Sequence, residues 1–347
     1  MALSSEIWDL ADNLRKRFAD KGAQSYQSEI LMTAGGLLDL YGEDIRARAY
    51  VTQDPIRGEM MLRPDFTLQL TSDHLAQGAG QASYVYSGEV FRRQEVDDDR
   101  SREVLQVGYE RFSDPDPAEA EADVFCEIWN ACKGADVSAV TGDIGFLNAA
   151  VDELDTPERR KTALRRHLWH PVRFRALLDR FSRPAPPPPS PSTSATHVGL
   201  RSATEIESRL AVLQAEHETP AIDPLQVKKV FQILDVRGRL PSALVELRNL
   251  AAQDSGLVAA CDCMEARLEA IARKGVTVDA LDFEALYGRT SMEYYDGFVF
   301  GLNGGASEDP PLATGGRYDA LCTALGGKGV TAVGGVIRPA ILLGAQS

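Results

Sequence analysis

Two long β-rich runs most constrain this chain: SYVYSGEVFRRQ over 83–94 and EVLQVGYERF over 103–112. In SYVYSGEVF apolar and polar residues alternate, as they do in a strand with one buried face. Runs of this length joined by a short connection pair antiparallel, because a parallel pair needs a crossover, usually a helix, between its strands. The chain is therefore expected to be α+β, with an antiparallel sheet flanked by helices. Shorter β-rich runs stand at 48–52 and 60–63. Helices are expected around them. Over 5–21, Ile7, Leu10, Ala11, Leu14 and Phe18 fall at helical spacing, Ser5 can cap, Lys16, Arg17 and Lys21 trail, and Gly22 stops the helix. Residues 28–41 and 117–133 have the same character, the second ending at Gly134.

From about 150 to 275 the pattern changes. The stretch is helix-rich and carries a basic run: Arg159, Arg160, Lys161, Arg165, Arg166, Arg173, Arg175, Arg180 and Arg183. Within it, SRPAPPPPSPSTSA (182–195) is too rich in proline and small polar residues to supply a core, and is expected as an exposed loop. Strand character returns after 275 in VTVDAL, YYDGFVFGL and GVTAVGGVI, with GGRYDAL opening a helix. The organisation expected is a core from 1–150 and 275–347 interrupted by a helical insertion domain over 151–274. A length of 347 residues suits about two domains.

The formal charge of −14 argues against a general polyanion binder, since nonspecific nucleic-acid affinity comes from Lys and Arg on phosphates. No apolar run is long enough to cross a membrane, and MALSSEIWDLADNLRKRF lacks the apolar block of a signal peptide. The cysteines Cys126, Cys132, Cys261, Cys263 and Cys322 are few, odd in number and not spaced for zinc, which fits a reduced cytoplasm and no metal. His167 and His170 flank Trp169, but no nearby carboxylate or cysteine completes a metal set, so they are expected as surface histidines. The basic run is expected chiefly as a solvated helical face, with docking of a protein partner as the sharper reading.

Four segments carry chemistry in combination: LRPDFT (62–67), YVYSGEVFRRQ (84–94) with LQVGYERF (105–112), MEYYDGFVFG (292–301) and GGRYDAL (315–321). Singly each is bland. Asp65 suits a turn after Pro64, Arg92 and Arg93 suit a solvated edge, Tyr294 and Tyr295 suit ordinary strand aromatics, and Gly315-Gly316 suits a turn. Together and in this order they resemble the catalytic core of the histidyl-tRNA synthetase family, class II aminoacyl-tRNA synthetases, over roughly 5–150 and 275–340. The resemblance implies a sheet of about six or seven antiparallel strands with an amino-acid pocket on its surface.

The resemblance also implies roles. Asp65 and Thr67 match positions that receive an α-ammonium, with Gln106 beside them. Glu110 matches the group that holds an imidazole nitrogen, and Tyr294 and Tyr295 match the pair that walls the ring. Arg92 matches an arginine that grips the ATP α-phosphate, and Arg102 stands where a second phosphate or carboxylate contact is expected. These types suit a free amino acid, because a carboxylate, a hydroxyl and an amide oxygen are acceptors for an ammonium.

The chain departs from the synthetase pattern at the catalytic positions. The arginine expected four residues before the tyrosine pair falls on Thr290, with Arg289 one position off. The third class II motif should end Gly-x-Glu-Arg, but AVGGVIRPAILL puts Ala340 and Ile341 there, with Arg338 displaced and followed by Pro339. No proline occurs in residues 1–54, so the first motif is altered too. Set against the resemblance, a sequence reaching only Ser347 is expected to lack a C-terminal anticodon-binding domain. With the histidine pocket kept, this looks like the paralogous branch of the family that serves as regulatory subunits of ATP phosphoribosyltransferase. That resemblance implies a histidine sensor with no catalytic residue or cofactor of its own. It implies self-association as a dimer and assembly with a short-form catalytic subunit into a hetero-octamer. The catalytic subunit would be activated and would receive feedback inhibition by L-histidine. The alternatives are a truncated or divergent histidyl-tRNA synthetase-like enzyme and a scaffold that no longer binds a ligand.

Overall fold

A computed structural model describes residues 4–33, 49–94, 101–189, 202–252, 254–288, 294–304 and 310–346. Helix α1 (Ser5–Ala19) buries Ala11, Leu14 and Phe18. Its N-cap is Ser4 rather than Ser5, and the chain leaves the helix through Gly22 at φ +93°. The short strand β1 (Gln24–Ser25) follows, and then β2 (Leu31–Thr33), β3 (Val51–Asp54) and β4 (Gly58–Leu62) form a small separate sheet in the order β2-β4-β3. The helix expected over 28–41 is thus a strand at 31–33, where pairing of Leu31 with Leu62 and Thr33 with Met60 overrides the helical spacing. Residues 34–41 lie outside the described residues.

Helix α2 (Thr67–Ala76) leads to the paired strands β5 (Ala82–Phe91) and β6 (Glu103–Phe112), which run antiparallel along their whole length, from Ala82 opposite Phe112 to Phe91 opposite Glu103. Helix α3 (Pro117–Ala131) is capped by the Asp116 carboxylate, which accepts from the N–H groups of Ala118 and Glu119, with proline at its first turn. After β7 (Val137–Asp143) come α4 (Ile144–Asp152), α5 (Glu158–Arg166), α6 (Pro171–Phe181), α7 (Ala203–Glu218), α8 (Pro224–Asp235), the short β8 (Arg237–Arg239), α9 (Leu240–Ala251) and α10 (Ser255–Arg273). The chain closes with β9 (Asp282–Glu284), β10 (Phe298–Gly304), β11 (Ala313–Arg317), α11 (Asp319–Ala324), β12 (Ala332–Ile337) and α12 (Pro339–Gln346). VTVDAL is not a strand: Val278–Ala280 forms a single 3-10 turn ahead of β9.

The main sheet has the order β1-β5-β6-β12-β11-β10-β7-β9-β8. Its six central strands, β5 to β7 in that order, each run antiparallel to the next, while the short edge strands β1 and β9 join β5 and β7 in parallel. The count rises to nine because β1, β9 and β8, each of two or three residues, extend the edges. Helices α1 and α3 cover one face. Phe18 stacks on Tyr109 with centroids 5.1 Å apart, and Phe125 meets Phe300 edge-on at 5.2 Å. The opposite face carries the even-numbered residues of β6, among them the buried Gln106 and Glu110.

The basic run is mostly exposed or half-exposed, as a solvated face would be, and Arg160 is the exception. Arg160 is 1% exposed, its Nε donating to Glu216 at 2.8 Å and its Nη1 to the Pro220 carbonyl at 2.7 Å. Arg159 also reaches Glu216, Arg165 pairs with Asp152 and Glu158, and Arg175 pairs with Asp235. A solvated face describes Arg159, Arg166, Arg173, Arg180 and Arg183, which are exposed, but not Arg160. His167 is likewise only half-exposed, with Nδ1 buried and unpartnered. Residues 182–189 of the proline-rich stretch run without regular structure, and 190–195 lie outside the described residues. Among the described residues no helix is long and apolar enough to cross a membrane, and no group of His, Cys, Asp and Glu is placed to hold a metal ion.

Candidate functional site

That sheet face carries a small cleft lined by residues from β6, β11, β12 and the loop before α2. Alternation along the strands decides which side chains reach it. Gln106, Gly108 and Glu110 share one face of β6. Thr314, Gly316 and Tyr318 share it on β11 and just beyond. Gly334, Val336 and Arg338 share it on β12 and just beyond. Register then sets the neighbours: Glu110 lies opposite Tyr84 on one side and Gly334 on the other.

Glu110 sits at the floor, 2% exposed. Its Oε1 accepts from Thr67 Oγ1 at 3.1 Å and from the Tyr86 hydroxyl at 3.0 Å, and its Oε2 accepts from the Tyr318 hydroxyl at 2.7 Å. Burial lifts its pKa to about 7, against the pull of those three hydroxyls. Two glycines make this arrangement possible. A Cβ on Gly334 would fall 1.2 Å from Glu110 Oε2, and one on Gly108 would fall 2.0 Å from the Tyr86 ring. The missing Cβ of Gly108 lets the Tyr86 ring cross the sheet to Glu110.

Asp65 lies on the loop entering α2. Arg63 clamps that loop to β5, with Nε on the Glu89 carbonyl at 2.7 Å and its guanidinium 4.2 Å over the Phe66 ring. Burial raises the pKa of Asp65, opposed by Arg92 and the N–H groups of Leu68 and Thr67. Arg92 reaches the same loop, its Nε donating to the Pro64 carbonyl at 3.2 Å. Gln106 is 1% exposed and its Nε2 has no partner. A buried amide donor left open costs free energy unless something fills it. Tyr294 and Tyr295 form one wall, with ring centroids 4.9 Å apart, and burial pushes the Tyr295 phenol up, well out of reach of ionisation near neutral pH.

Asp65, Thr67, Arg92, Gln106, Glu110, Tyr294 and Tyr295 therefore line one cleft. Arg102 does not; it is exposed at the start of β6 and its carbonyl accepts from the Arg92 N–H at 2.9 Å. Arg289 and Thr290 lie outside the described residues. Ala340 is exposed and Ile341 packs against the core, and neither lines the cleft. Sequence reasoning missed Tyr86, Tyr318, Thr314 and Arg338. The signal for Arg338 was present in the period of two: it stands four residues beyond Gly334, so it shares the cleft face.

The chain matches the family described as histidyl-tRNA synthetase over residues 4–174 and 200–340. It is 30% identical to the ATP phosphoribosyltransferase regulatory subunit of Mesorhizobium japonicum, covering 96% of this chain and 95% of that protein. It is also 30% identical to the subunit of the same name from Allorhizobium ampelinum, covering 92% of each. Among solved structures it resembles an ATP phosphoribosyltransferase regulatory subunit/histidyl-tRNA synthetase from Bacillus halodurans, with a TM-score of 0.72, 21% identity, and coverage of 99% of this chain and 79% of that one. A histidyl-tRNA synthetase from Nostoc gives a TM-score of 0.63 at 16% identity, covering 97% of this chain and 70% of that one.

Proposed function

The chain belongs to the histidyl-tRNA synthetase family and, within it, to the ATP phosphoribosyltransferase regulatory subunits, and from that premise we propose that it binds free L-histidine in the cleft and regulates a separate catalytic chain. The observation that carries the ligand is the buried Glu110, already holding three hydroxyls, beside the open Gln106 amide. An imidazole N–H finds its acceptor in Glu110, the tyrosine pair walls the ring, and Asp65 with Thr67 takes the ammonium. A side chain lacking the imidazole nitrogens leaves the remaining acceptor site of Glu110 unfilled in a buried pocket, which discriminates against it.

The cleft residues bind; no residue in it is assigned a catalytic role. Ile341 and Ala340 stand where the arginine and glutamate end the third class II motif, and neither lines the cleft, which supports a chain without that nucleotide contact. Catalysis belongs to the partner, a short-form ATP phosphoribosyltransferase subunit that this chain activates and to which it transmits feedback inhibition. Coupling of ~1–3 kcal/mol between histidine and the active assembly suffices, and it must be reciprocal for the binding equilibria. In this reading the protein is cytoplasmic, self-associates as a dimer within a hetero-octamer, and carries 151–274 as a helical insertion in the core of 1–150 and 275–347.

The test is co-purification with the short catalytic subunit, assayed with and without histidine, beside calorimetric titration of the native chain and Glu110→Gln. A stable complex, inhibition by histidine, and affinity at least about tenfold weaker in Glu110→Gln are expected. Undiminished binding by Glu110→Gln removes the pocket assignment. Arg92 in the cleft also suits a divergent synthetase-like enzyme, and clear histidine-dependent pyrophosphate exchange with ATP would establish that reading instead.

A further inference from the structure

The imidazole and ammonium ends of the cleft leave its basic end unexplained. Arg338 follows β12, and its guanidinium lines the cleft together with Arg92, Gln106 and Thr314. It is held from behind: Nη1 donates to the Pro311 carbonyl and Nη2 to Thr314 Oγ1 at 3.3 Å. Among the described residues no carboxylate pairs with it. The charged neighbour that acts on it is Arg92, a second cation, and burial together with Arg92 lowers its pKa to about 10. Gln106 Nε2 is the third open donor.

Two guanidiniums and an amide N–H around one small space are a poor arrangement without an anion and a good one with it, since charge-assisted bonds from arginine to a carboxylate are among the stronger polar contacts. The cleft as a whole then holds both signs of charge, with the carboxylates of Asp65 and Glu110 and the guanidiniums of Arg92 and Arg338 lining the same space. Arg92 stands next to the Asp65 loop, and Arg338 has no carboxylate partner among the described residues. That is the charge pattern of a zwitterion.

We propose that Arg338, with Arg92 and the Gln106 amide, forms a carboxylate subsite that reads the α-carboxylate of the amino-acid ligand, which makes Arg338 a specificity-determining residue. This rests on the reading of the cleft as an amino-acid site. It gives a role to an arginine in a register where the third class II motif has none, and it separates amino acids from the corresponding amines. A nucleotide phosphate would also meet the two arginines. The carboxylate is favoured because a polyanion would have to approach Asp65 as well.

The experiment is calorimetric titration of the native chain, Arg338→Met and Arg338→Lys with L-histidine and with histamine, which keeps the ammonium and imidazole and lacks the carboxylate. ATP alone is a further titrant. The native chain is expected to favour histidine over histamine by about 100-fold or more. Arg338→Met should weaken histidine by about 30-fold or more and leave histamine within about threefold, and Arg338→Lys should recover part of the preference. The subsite is overturned if Arg338→Met binds histidine normally. It is equally overturned if both ligands weaken together, which marks a structural role, or if ATP binds through Arg338 while the histidine-to-histamine ratio stays fixed. A native chain that binds no histidine removes the reading beneath it, and that shows before any variant is made.

Discussion

Glu110 is pulled in two directions. Burial favours its neutral form, three hydroxyl donors favour the carboxylate, and the balance stands at about 7. The folded value lies above the unfolded one, so the empty protein binds this proton more tightly than the unfolded chain does. Stability from this group is fully present below about pH 4.5 and is lost as pH rises through about 7, by on the order of 3 kcal/mol. Urea denaturation of the ligand-free protein between pH 5 and 8 should show native stability falling relative to Glu110→Gln across that window. A difference that stays flat, or that grows with pH, would contradict the buried, raised carboxylate. On the proposed reading, bound histidine would reverse part of the loss by giving the carboxylate an N–H donor.

At the scale of elements, α10 is tied to the sheet by a buried ion cluster. Arg267 reaches Glu121 on α3 at 2.7 Å and Asp143 at the end of β7 at 2.7 Å, and Glu121 also takes Arg317 from β11. Burial pushes the Glu121 carboxyl up, but Arg267 and Arg317 together hold it below its ordinary value. Arg267→Met strands Asp143 and half of that pairing, and should cost about 3–5 kcal/mol in chemical denaturation. A loss below about 1 kcal/mol would mean that the carboxylates find water instead. The elements differ in how far they were legible. The β5–β6 pair was readable because alternation and length agree there, and 117–133 was readable from its helical character up to Gly134. The segment around Leu31 was not, because its strand exists only through pairing with β4. The site divides in the same way. Asp65, Thr67, Gln106 and Glu110 follow from motifs in single segments. Tyr86 and Tyr318 reach Glu110 across strands, and only register puts residues 86, 110 and 318 together.

On the scale of the whole molecule, the strand nearest the C-terminus lies near the middle of the sheet. β12 separates β6 from β11, with Ile337 opposite both Val107 and Ala313. A chain truncated after Thr331 therefore loses two ladders at once and exposes two long unpaired edges. It is expected to aggregate, and to show no cooperative unfolding transition if kept in solution; a monomeric, cooperatively folding truncation would contradict this view of the sheet. The same placement orders events during synthesis. The strands made first cannot be joined to those made later until the wedge between them has left the ribosome, and such distant pairings form slowly. The cleft, whose basic end lies one residue past that wedge, is therefore finished among the last parts of the fold, so a nascent or clipped chain would be unable to compete with finished protein for the cellular pool of ligand.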